Sequence, residues 1–371
     1  MKKLKICHLT SVHPRYDTRI FLKECSSLAS AGFDVALIVA DGLGDEVSKG
    51  VKILDTGTQK GLSRIKRMTQ TVNSVYAKCL EIDADIYHFH DPELLRIGLK
   101  LKKLKKQVIY DVHEDVPRQI LSKQWIPTHL RKSISFCFER YENHIAKKLS
   151  AVICATPFIR DRYLKINPNS IDINNYPILG EFDSSTPWCE KHDEVCYVGG
   201  ITEVRGIKEL VNSLSSTTAK LNLAGNFTSS LLEEEMFRHE NWQKVNYHGI
   251  VSRKEVSLIL AQSKIGIVTL HPIINYLDSL PIKMFEYMAA GIPIIASDFP
   301  YWHKVLEPYD CALFVDPYKP QEIAEAIDKL LDDNKTSEEM GKRAKLAANE
   351  YFSWIAEEKK LIQLYKELTN V

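Results

Sequence analysis

The sequence predicts an α/β protein with two domains, each built on a parallel β-sheet. Short apolar runs alternate with helical segments over the first 170 residues, and the same alternation starts again near residue 195. Between them, residues 171–188 contain Pro177 and Pro187 and show no helical period, which is typical of a linker. A chain of 371 residues is also long enough for two domains of about 150–200 residues each. We therefore expect one domain in residues 1–175 and a second in residues 176–352.

The predicted strands of the first domain are short apolar runs bounded by turn-forming residues, as in strands buried within a parallel sheet. They lie at residues 5–10, 33–39, 51–54, 86–90, 108–112 and 151–154. The predicted helices carry apolar residues at helical spacing. They lie at residues 18–28, 65–80, 92–105, 131–149 and 159–166.

The same criteria predict the elements of the second domain. Its strands lie at residues 195–198, 221–223, 245–248, 265–270, 293–296 and 312–315, and its final helices at residues 321–331, 337–349 and 354–368. Residues 283–290 are good helix formers without a β-branched residue, so a helix that begins near Pro281 is expected. Gly291 suits the position after the last turn, and Pro293 prevents continuation.

Composition excludes several classes of protein. The formal net charge of +1 argues against a dedicated nucleic-acid binder, which normally carries a basic excess. Eight cysteines are scattered without a Cys-x-x-Cys pair, a pattern that favours free thiols in a reducing compartment. No stretch approaches the ~18 apolar residues that a membrane span needs. The N-terminal residues read as a first strand rather than a signal peptide. We expect a cytoplasmic protein.

Two acidic residues flank the helix start near Pro281. Asp278 lies in the preceding loop and Glu286 lies within the helix, with seven residues between them. A helix N-terminus offers free N–H groups and a positive dipole end to a phosphate. This acid-x7-acid pattern, followed by Tyr-Met-Ala-Ala-Gly-Ile-Pro, resembles the donor-site signature of retaining glycosyltransferases of family 4. The family usually has Glu at the first position, so Asp278 is a departure. An acid before a helix is also often only a cap.

The resemblance implies a GT-B fold, in which two Rossmann-like domains face a central cleft and a C-terminal helix, here residues 353–371, returns to the first domain. It also implies a nucleotide-sugar donor, such as a UDP- or GDP-sugar, bound without a metal ion. Glu286 would accept hydrogen bonds from the two ribose hydroxyls, and the turn at residues 249–251 would meet the nucleobase through its backbone. The expected donor contacts are Gly199, Gly200, Arg205, Gly249, Ile250, Val251, Pro281, Ile282, Lys283 and Glu286.

The cations expected at the donor diphosphate come from two segments. Gly199 and Gly200 would let the backbone approach the ligand closely, and Arg205 matches the second cation of a Gly-Arg-x5–6-Lys-Gly segment of the family. Gly200 falls where the first cation often stands. From its spacing we expect Lys283 to supply that missing charge. Surface positions for Arg205 and Lys283 are the alternative.

Histidines lie at or near the carboxyl ends of two neighbouring predicted strands of the first domain. His88 and His90 share one face of a strand by period-two alternation, and Asp91 then turns the chain out at the carboxyl end, where α/β sheets bind ligands. His90 matches the histidine of the family's His-(Asp/Glu)-Pro segment, which lies at the donor sugar. With Asp278 and, as a second candidate, His113, it forms the expected catalytic set. A buried core position is the alternative, and for His88 the favoured one. A zinc or iron site is not expected, since the cluster lacks a diagnostic spacing such as His-Glu-x-x-His.

The loop after the first strand contains no Gly-x-Gly-x-x-Gly, which a dinucleotide dehydrogenase would need there. The resemblance places an acceptor-binding loop here, in which Arg15 or Arg19 would hold an anionic saccharide or lipid-linked acceptor. A surface salt bridge is the alternative for Arg19. The strongly basic helix within residues 94–106 suggests peripheral contact with an anionic membrane, or alternatively a solvated face on a core helix.

The expected activity is therefore retaining sugar transfer, associated by family with surface polysaccharide, lipopolysaccharide or capsule synthesis. Two other functions stay open at this point. One is a nucleotide-sugar 2-epimerase, which shares this architecture. The other is a protein that binds a nucleotide sugar without turning it over. The donor base, the donor sugar and the acceptor are beyond what the sequence determines.

Overall fold

The computed structural model describes residues 3–58, 61–63, 66–123, 125–183 and 186–369. They divide into two compact units. Unit 1 comprises residues up to Asn175 and those from Ile355 onward, and unit 2 comprises Tyr176–Trp354. Ile65, the predicted start of the second helix, and residues 184–185 of the predicted linker lie outside the described residues. Within the described ranges, no helix is long and apolar enough to cross a bilayer.

Unit 1 contains an eight-stranded sheet. Its strands are β1 (Lys5–Leu9), β2 (Asp34–Val39), β3 (Glu46–Ser48), β4 (Val51–Asp55), β5 (Ile86–Phe89), β6 (Gln107–Val112), β7 (Ala151–Cys154) and β8 (Ser170–Asp172). The order is β3-β4-β2-β1-β5-β6-β7-β8, and all neighbours are parallel except β3 and β4. The sheet therefore has the predicted parallel character, with two short edge strands added that the sequence pattern did not indicate.

The helices of unit 1 connect these strands. They are α1 (Thr18–Cys25, with π-type turns, continuing through Ser26–Ser30), α2 (Arg67–Thr71, continuing through Val72–Ile82), α3 (Leu95–Lys103), α4 (Val116–Ser122), α5 (Thr128–Ala146) and α6 (Pro157–Leu164). The C-terminal helix (Trp354–Glu367) also packs in this unit, through its residues from Ile355 onward.

Strand alternation gives the unit 1 sheet two different faces. Cys7, Leu9, Tyr87 and Phe89 belong to a single apolar core. The intervening residues of β1 and β5 point to the opposite face, where His8 lies directly beside His88 in the strand register. Two polar side chains are thus adjacent and fully buried, so each needs a partner from the elements that cover this face.

Unit 2 contains a six-stranded, fully parallel sheet. Its strands are β9 (His192–Val198), β10 (Lys220–Ala224), β11 (Val245–Gly249), β12 (Ser263–Val268), β13 (Ile294–Ser297) and β14 (Ala312–Val315), in the order β11-β10-β9-β12-β13-β14. Its helices are α7 (Ile207–Ser213), α8 (Ser230–Phe237), α9 (Arg253–Gln262), α10 (Ile282–Ala289), α11 (Pro300–Leu306), α12 (Pro320–Asp332) and α13 (Asn334–Tyr351). Apolar cores lie on both faces of the sheet.

Each sheet has a point where the strand order reverses. In unit 2 this point lies between β9 and β12, and in unit 1 between β1 and β5. Parallel α/β sheets bind ligands at the carboxyl ends of the strands that flank such a point, because the two following loops leave in opposite directions and open a crevice. The predicted donor segment follows β9, and the predicted histidine segment follows β5.

Candidate functional site

The backbones at the carboxyl ends of β9, β10 and β11 pack closely against one another. The Gly225 N–H donates to the Gly249 carbonyl over 2.7 Å, and Gly199 adopts a φ of 128°. A Cβ at Gly225 would lie 1.9 Å from the Gly199 carbonyl oxygen, which no side chain could tolerate. Glycine is therefore required at position 225, where these backbones meet. The Gly199 N–H in turn donates to the Ala224 carbonyl over 2.9 Å.

Helix α10 is fixed to the sheet by Tyr287. The Val198 N–H at the end of β9 donates to the Tyr287 hydroxyl over 3.1 Å. On β12, a Cβ at Gly266 would lie 2.2 Å from the Tyr287 ring, so the missing side chain makes room for the ring. The helix begins after Pro281, and no side chain caps its first turn. Its N-terminal amides are therefore held near the reversal point of the sheet with no side-chain acceptor.

Two cations converge on the loop after β9. A Cβ at Gly199 would lie 3.3 Å from the Lys283 Nζ and 3.8 Å from an Arg205 guanidinium nitrogen. Arg205 donates to the Gly200 carbonyl over 3.0 Å. The structure thus brings together Gly199, Gly200, Arg205 and Lys283, which were expected at one diphosphate although they lie on separate segments. Their contact with a donor stays a prediction.

Lys283 is buried, and its Nζ forms no hydrogen bond with any other residue that the structure describes. The Nζ lies 3.4 Å from the centre of the Tyr197 ring, which provides a cation–π contact. Burial lowers the pKa of Lys283 well below its usual value, and the positive charge of Arg205 lowers it further. An anion between the two cations would reverse this effect, because it would favour the charged form of the lysine.

Glu286 lies one turn further along α10 and is buried. Its Oε1 accepts a hydrogen bond of 2.5 Å from Arg253, at the start of α9. Arg253 also donates to Glu181 over 2.6 Å, and its remaining Nη2 is buried without a hydrogen-bond partner among the described residues. The sequence analysis missed Arg253, although it lies two residues after the turn at 249–251 that was assigned to the nucleobase.

The other residues predicted to bind the donor differ in their exposure to solvent. Gly249 has a φ of 65° and ends β11, and Ile250 after it is exposed. Val251, Pro281, Ile282 and Asp278 are all half-buried. Burial raises the pKa of the Asp278 carboxyl, and Lys304 partly offsets this. Asp278 does not cap α10, since no side-chain cap is present, so the capping alternative for this acid is wrong.

In unit 1, a buried chain of hydrogen bonds links three histidines and the C-terminal helix. One set of tautomers satisfies it in a single direction. His88 Nδ1–H donates to the Tyr365 hydroxyl over 2.7 Å, and that hydroxyl donates to His8 Nε2 over 3.1 Å. His8 Nδ1–H then donates to His90 Nε2 over 3.0 Å, and His90 Nδ1–H donates to Asp111 over 3.1 Å. His88 therefore has the core position that the sequence favoured.

The series of hydrogen bonds ends at Asp111, which also holds the His113 ring in place. The His113 Nε2–H donates to the same carboxylate over 3.0 Å. Burial opposes ionisation of Asp111, but Arg19 and His113 hold its pKa well below the usual range. Burial lowers the pKa of His90 to about 4, so His90 is neutral near pH 7. The His113 side chain is 20 % exposed, whereas that of His90 is fully buried. His113 is thus the histidine that a ligand could contact.

Both predicted acceptor arginines are occupied within unit 1. Arg15 donates to Asp41 over 2.7 and 2.8 Å and to Glu46 over 2.9 Å. Arg19 forms a bidentate pair with Asp111 over 2.7 and 2.8 Å. Both are buried, so the surface alternative for Arg19 is wrong. Acceptor binding by either arginine remains a prediction, and each guanidinium would have to leave these ion pairs to fulfil it.

Among the described residues of unit 1, two groups of side chains have donor atoms close enough to share a metal ion. They are His8, Glu24, His88 and His90, and His90, Asp111 and His113; within each group the atoms lie within 4.8 Å of one another. In the first group the three histidines already use ring nitrogens in the chain that runs through Tyr365 to Asp111. A metal ion would have to replace those hydrogen bonds. The expectation of a metal-free site stays a prediction.

Comparison with known proteins identifies the family to which the chain belongs. The model described as Glycosyltransferase Family 4 matches residues 19–173, and the model described as Glycosyl transferases group 1 matches residues 181–347. The chain belongs to the family 4 glycosyltransferases. It is 23 % identical over 297 residues to an uncharacterized glycosyltransferase of Methanocaldococcus jannaschii, a match that covers 76 % of this chain and 75 % of that protein.

Solved structures show that this glycosyltransferase has the GT-B fold. Sucrose-phosphate synthase from Thermosynechococcus elongatus superposes with a TM-score of 0.80 at 18 % identity, covering 99 % of this chain and 100 % of that one. Anabaena HepE in complex with UDP-glucose gives a TM-score of 0.73 at 13 % identity, covering 98 % of this chain and 100 % of that one. The predicted family and fold class are thus confirmed.

Proposed function

We propose that this glycosyltransferase moves a sugar from a nucleotide-sugar donor to a saccharide or lipid-linked acceptor with retention of configuration and without a metal ion. The observation that carries the proposal is the buried Lys283 side chain, whose Nζ has no hydrogen-bond partner among the described residues and lies beside Arg205 at the glycine loop of unit 2. Two cations held next to each other repel, and a donor diphosphate would neutralise both.

Lys283, Arg205 and the first turn of α10 also suit the chemistry of the leaving diphosphate. Negative charge grows on the β-phosphate as the sugar–phosphate bond breaks. A charge-assisted hydrogen bond contributes about 1.5–3 kcal/mol, and a helix N-terminus contributes up to about 2 kcal/mol. Lys283, Arg205 and the first turn of α10 would together accelerate bond cleavage to the extent that they bind the departing diphosphate more tightly than the ground state.

The nucleoside end of the donor is assigned to Glu286 and to residues 249–251. Glu286 has a second carboxylate oxygen for the ribose hydroxyls, as a carboxylate accepts several hydrogen bonds. Its first oxygen is held by Arg253, which fixes the direction of the carboxylate. Gly249, with its positive φ, and the half-buried Val251 offer main-chain groups to the nucleobase.

The catalytic assignment follows the family resemblance, with one change of emphasis. Asp278 and a histidine of unit 1 would position the sugar, and the departing phosphate would take the proton of the acceptor hydroxyl. His113 is preferred over His90 for direct contact, because His90 is enclosed and bonded through both ring nitrogens. His90 then acts through Asp111, which it shares with His113.

The location and pathway extend this proposal. All eight cysteines are free, and six are buried, which supports a reducing compartment such as the cytoplasm. Assembly of surface polysaccharide, lipopolysaccharide or capsule rests on the family resemblance alone. HepE was solved in complex with UDP-glucose, so UDP-sugars are the first donors to test, with GDP-sugars next.

The testing experiment is a thermal-shift panel of UDP-, GDP- and ADP-sugars, followed by donor turnover with candidate acceptors and NMR assignment of the product anomer. The proposal predicts stabilisation by one nucleotide class, transfer with the donor configuration kept, and activity that survives EDTA. An inverted product or EDTA-sensitive transfer would overturn the mechanism. Interconversion of the donor without transfer would instead indicate the epimerase, and binding without any turnover would indicate the non-catalytic protein.

A further inference from the structure

Arg253, the first residue of α9, is held in one orientation by three contacts within unit 2. Its Nη1 donates to Glu286 over 2.5 Å, and its Nε donates to Glu181 over 2.6 Å. The guanidinium carbon lies 4.9 Å from the centre of the buried Phe182 ring, which adds a cation–π contact. A planar guanidinium that carboxylates hold at two nitrogens cannot turn without breaking an ion pair. The direction of its third nitrogen, Nη2, is therefore set.

One donor and one acceptor of this ion-paired group are left over. Arg253 Nη2 and Glu181 Oε2 are both buried, and neither forms a hydrogen bond with any residue that the structure describes. Although they belong to the same ion pair, they do not bond to each other. An unpaired buried polar atom is unfavourable, most of all in a charged group. A hydroxyl group satisfies both atoms at once, because it donates one hydrogen bond and accepts up to two.

The charge of the group also favours a neutral partner. Two carboxylates, those of Glu181 and Glu286, face the single guanidinium of Arg253, so the three side chains together carry an excess of negative charge. This excess repels a phosphate but not a hydroxyl. Unit 2 therefore separates its charges, with Arg205 and Lys283 at the glycine loop and an acidic excess around Arg253.

The order of the segments indicates which hydroxyl of a bound nucleoside meets Arg253. In the proposed function, the turn at residues 249–251 meets the nucleobase and the start of α10 binds the diphosphate. Arg253 lies two residues after that turn, whereas Glu286 belongs to α10. In a ribose, C2′ is bonded to C1′, which carries the base, and C3′ is bonded to C4′, which carries the phosphate arm. The 2′-hydroxyl is thus the one on the side of Arg253, and the 3′-hydroxyl is on the side of Glu286.

We propose that Arg253 and Glu181 bind the 2′-hydroxyl of the donor ribose, so that the protein selects ribonucleotide sugars over 2′-deoxyribonucleotide sugars such as dTDP-sugars. Recognition of this kind rests on the proposed function and narrows its donor class. The 2′-hydroxyl accepts a hydrogen bond from Arg253 Nη2 and donates one to Glu181 Oε2, while the 3′-hydroxyl donates to Glu286. A site that hydrogen-bonds a substrate hydroxyl rejects the analogue without it, because the polar groups of the site then stay unpaired.

The test is isothermal titration calorimetry of the full chain with UDP, GDP and ADP and with the 2′-deoxy and 3′-deoxy analogues of each. For the base that binds, loss of the 2′-hydroxyl should weaken binding by about 10- to 150-fold, as expected for one hydrogen bond to a charged group. Loss of the 3′-hydroxyl should also weaken binding, through Glu286. If the 2′-deoxy analogue binds within threefold of the ribonucleotide, the inference is wrong and the proposed function stands. If none of the three ribonucleotides binds, both are wrong.

Two single variants separate direct contact from a structural role. Arg253→Lys keeps a cation between the two carboxylates but has no Nη2, and Glu181→Gln offers one acceptor fewer. Each should reduce the preference for the ribonucleotide over its 2′-deoxy analogue to below about threefold, and leave the preference over the 3′-deoxy analogue within about twofold of the wild type. If Arg253 only orients Glu286, Arg253→Lys lowers both preferences equally. That result would overturn the proposal, as would an unchanged 2′ preference.

The matched control is Arg343→Lys, at an arginine of unit 2 that pairs with Asp310 over 2.8 Å and should change neither preference. Thermal melting checks that each variant folds. The wild-type comparison of ribonucleotide and 2′-deoxy analogue decides the proposal even where a variant does not fold.

Discussion

Substitution of Lys283 by methionine should weaken nucleotide binding without lowering protein stability. The lysine is buried, its Nζ has no hydrogen-bond partner among the described residues, and Arg205 repels it. Methionine has a similar length and no charge, so it removes the buried cation with little change in packing. If this residue served only the stability of the fold, an apolar side chain would suit the buried position better than a lysine.

The expected magnitudes follow from these contacts. Loss of one charge-assisted hydrogen bond to the diphosphate costs about 1.5–3 kcal/mol, which weakens binding by about 10- to 150-fold. Replacement of a buried charge by an apolar group is neutral or stabilises by about 1–4 kcal/mol. For a unit of this size each kcal/mol raises the melting temperature by about 2–4 °C. The melting temperature of Lys283→Met should therefore be unchanged or higher.

Nucleotide binding should also depend on pH through Lys283. The pKa of this lysine is lowered in the folded protein relative to the ordinary value of 10.5, so the unfolded chain binds the proton more tightly. Stability therefore rises as pH increases from the folded pKa towards 10.5. A bound diphosphate favours the ammonium, so binding takes up a proton when the free lysine is neutral. Affinity should then fall as pH rises, and this dependence should be weaker in Lys283→Met.

The assay is isothermal titration calorimetry with the nucleoside diphosphate that the donor panel selects, in buffers of different ionisation enthalpy, together with thermal melting. Lys329→Met, at an exposed position on α12, is the matched control and should change neither quantity. The reasoning is refuted if Lys283→Met binds the nucleotide within twofold of the wild type. It is also refuted if the melting temperature falls by several degrees, because the affinity loss would then reflect a damaged unit.

Three further predictions concern other groups. Glu286→Gln should weaken the binding of a nucleoside diphosphate about tenfold or more in calorimetry, because the contacts to the ribose are lost. The binding of inorganic diphosphate should stay unchanged, and equal losses for both ligands would contradict the ribose assignment. His113→Gln should lower kcat by about 100-fold with a melting temperature within 2 °C of the wild type, whereas the buried His88→Gln should lower the melting temperature; full activity of His113→Gln would remove its catalytic role. Since the pKa of His90 falls from an ordinary 6.5 to about 4 on folding, acid favours the unfolded chain below pH 6.5. Protonation of this one residue should lower the free energy of unfolding by about 2 kcal/mol between pH 8 and pH 5. A urea midpoint that does not fall over this range would contradict the prediction.

Local sequence determined most of the helices and strands and the face on which their side chains lie. The helix expected from residues 283–290 is observed as Ile282–Ala289, because proline, good helix formers and a terminal glycine act within one segment. The period-two placement of His88 and His90 on one strand face is also observed, since side chains must alternate along any strand. The edge strands β3 and β8 and the helices α4, α8, α9 and α11 were not predicted, because short segments carry too little periodicity.

The tertiary structure decided which partners these residues have. Arg19 and Asp111 are 92 positions apart, and Tyr365 and His8 are 357 apart, so no local pattern could pair them. Likewise, the family resemblance suggested that Lys283 and Arg205 meet one diphosphate, but only the packing of α10 on the sheet brings both to Gly199. Spacing along a chain sets the face on which a side chain lies. Strand order and helix packing set what covers that face, and so decide whether a charged group becomes a buried ion pair or a cation without a partner.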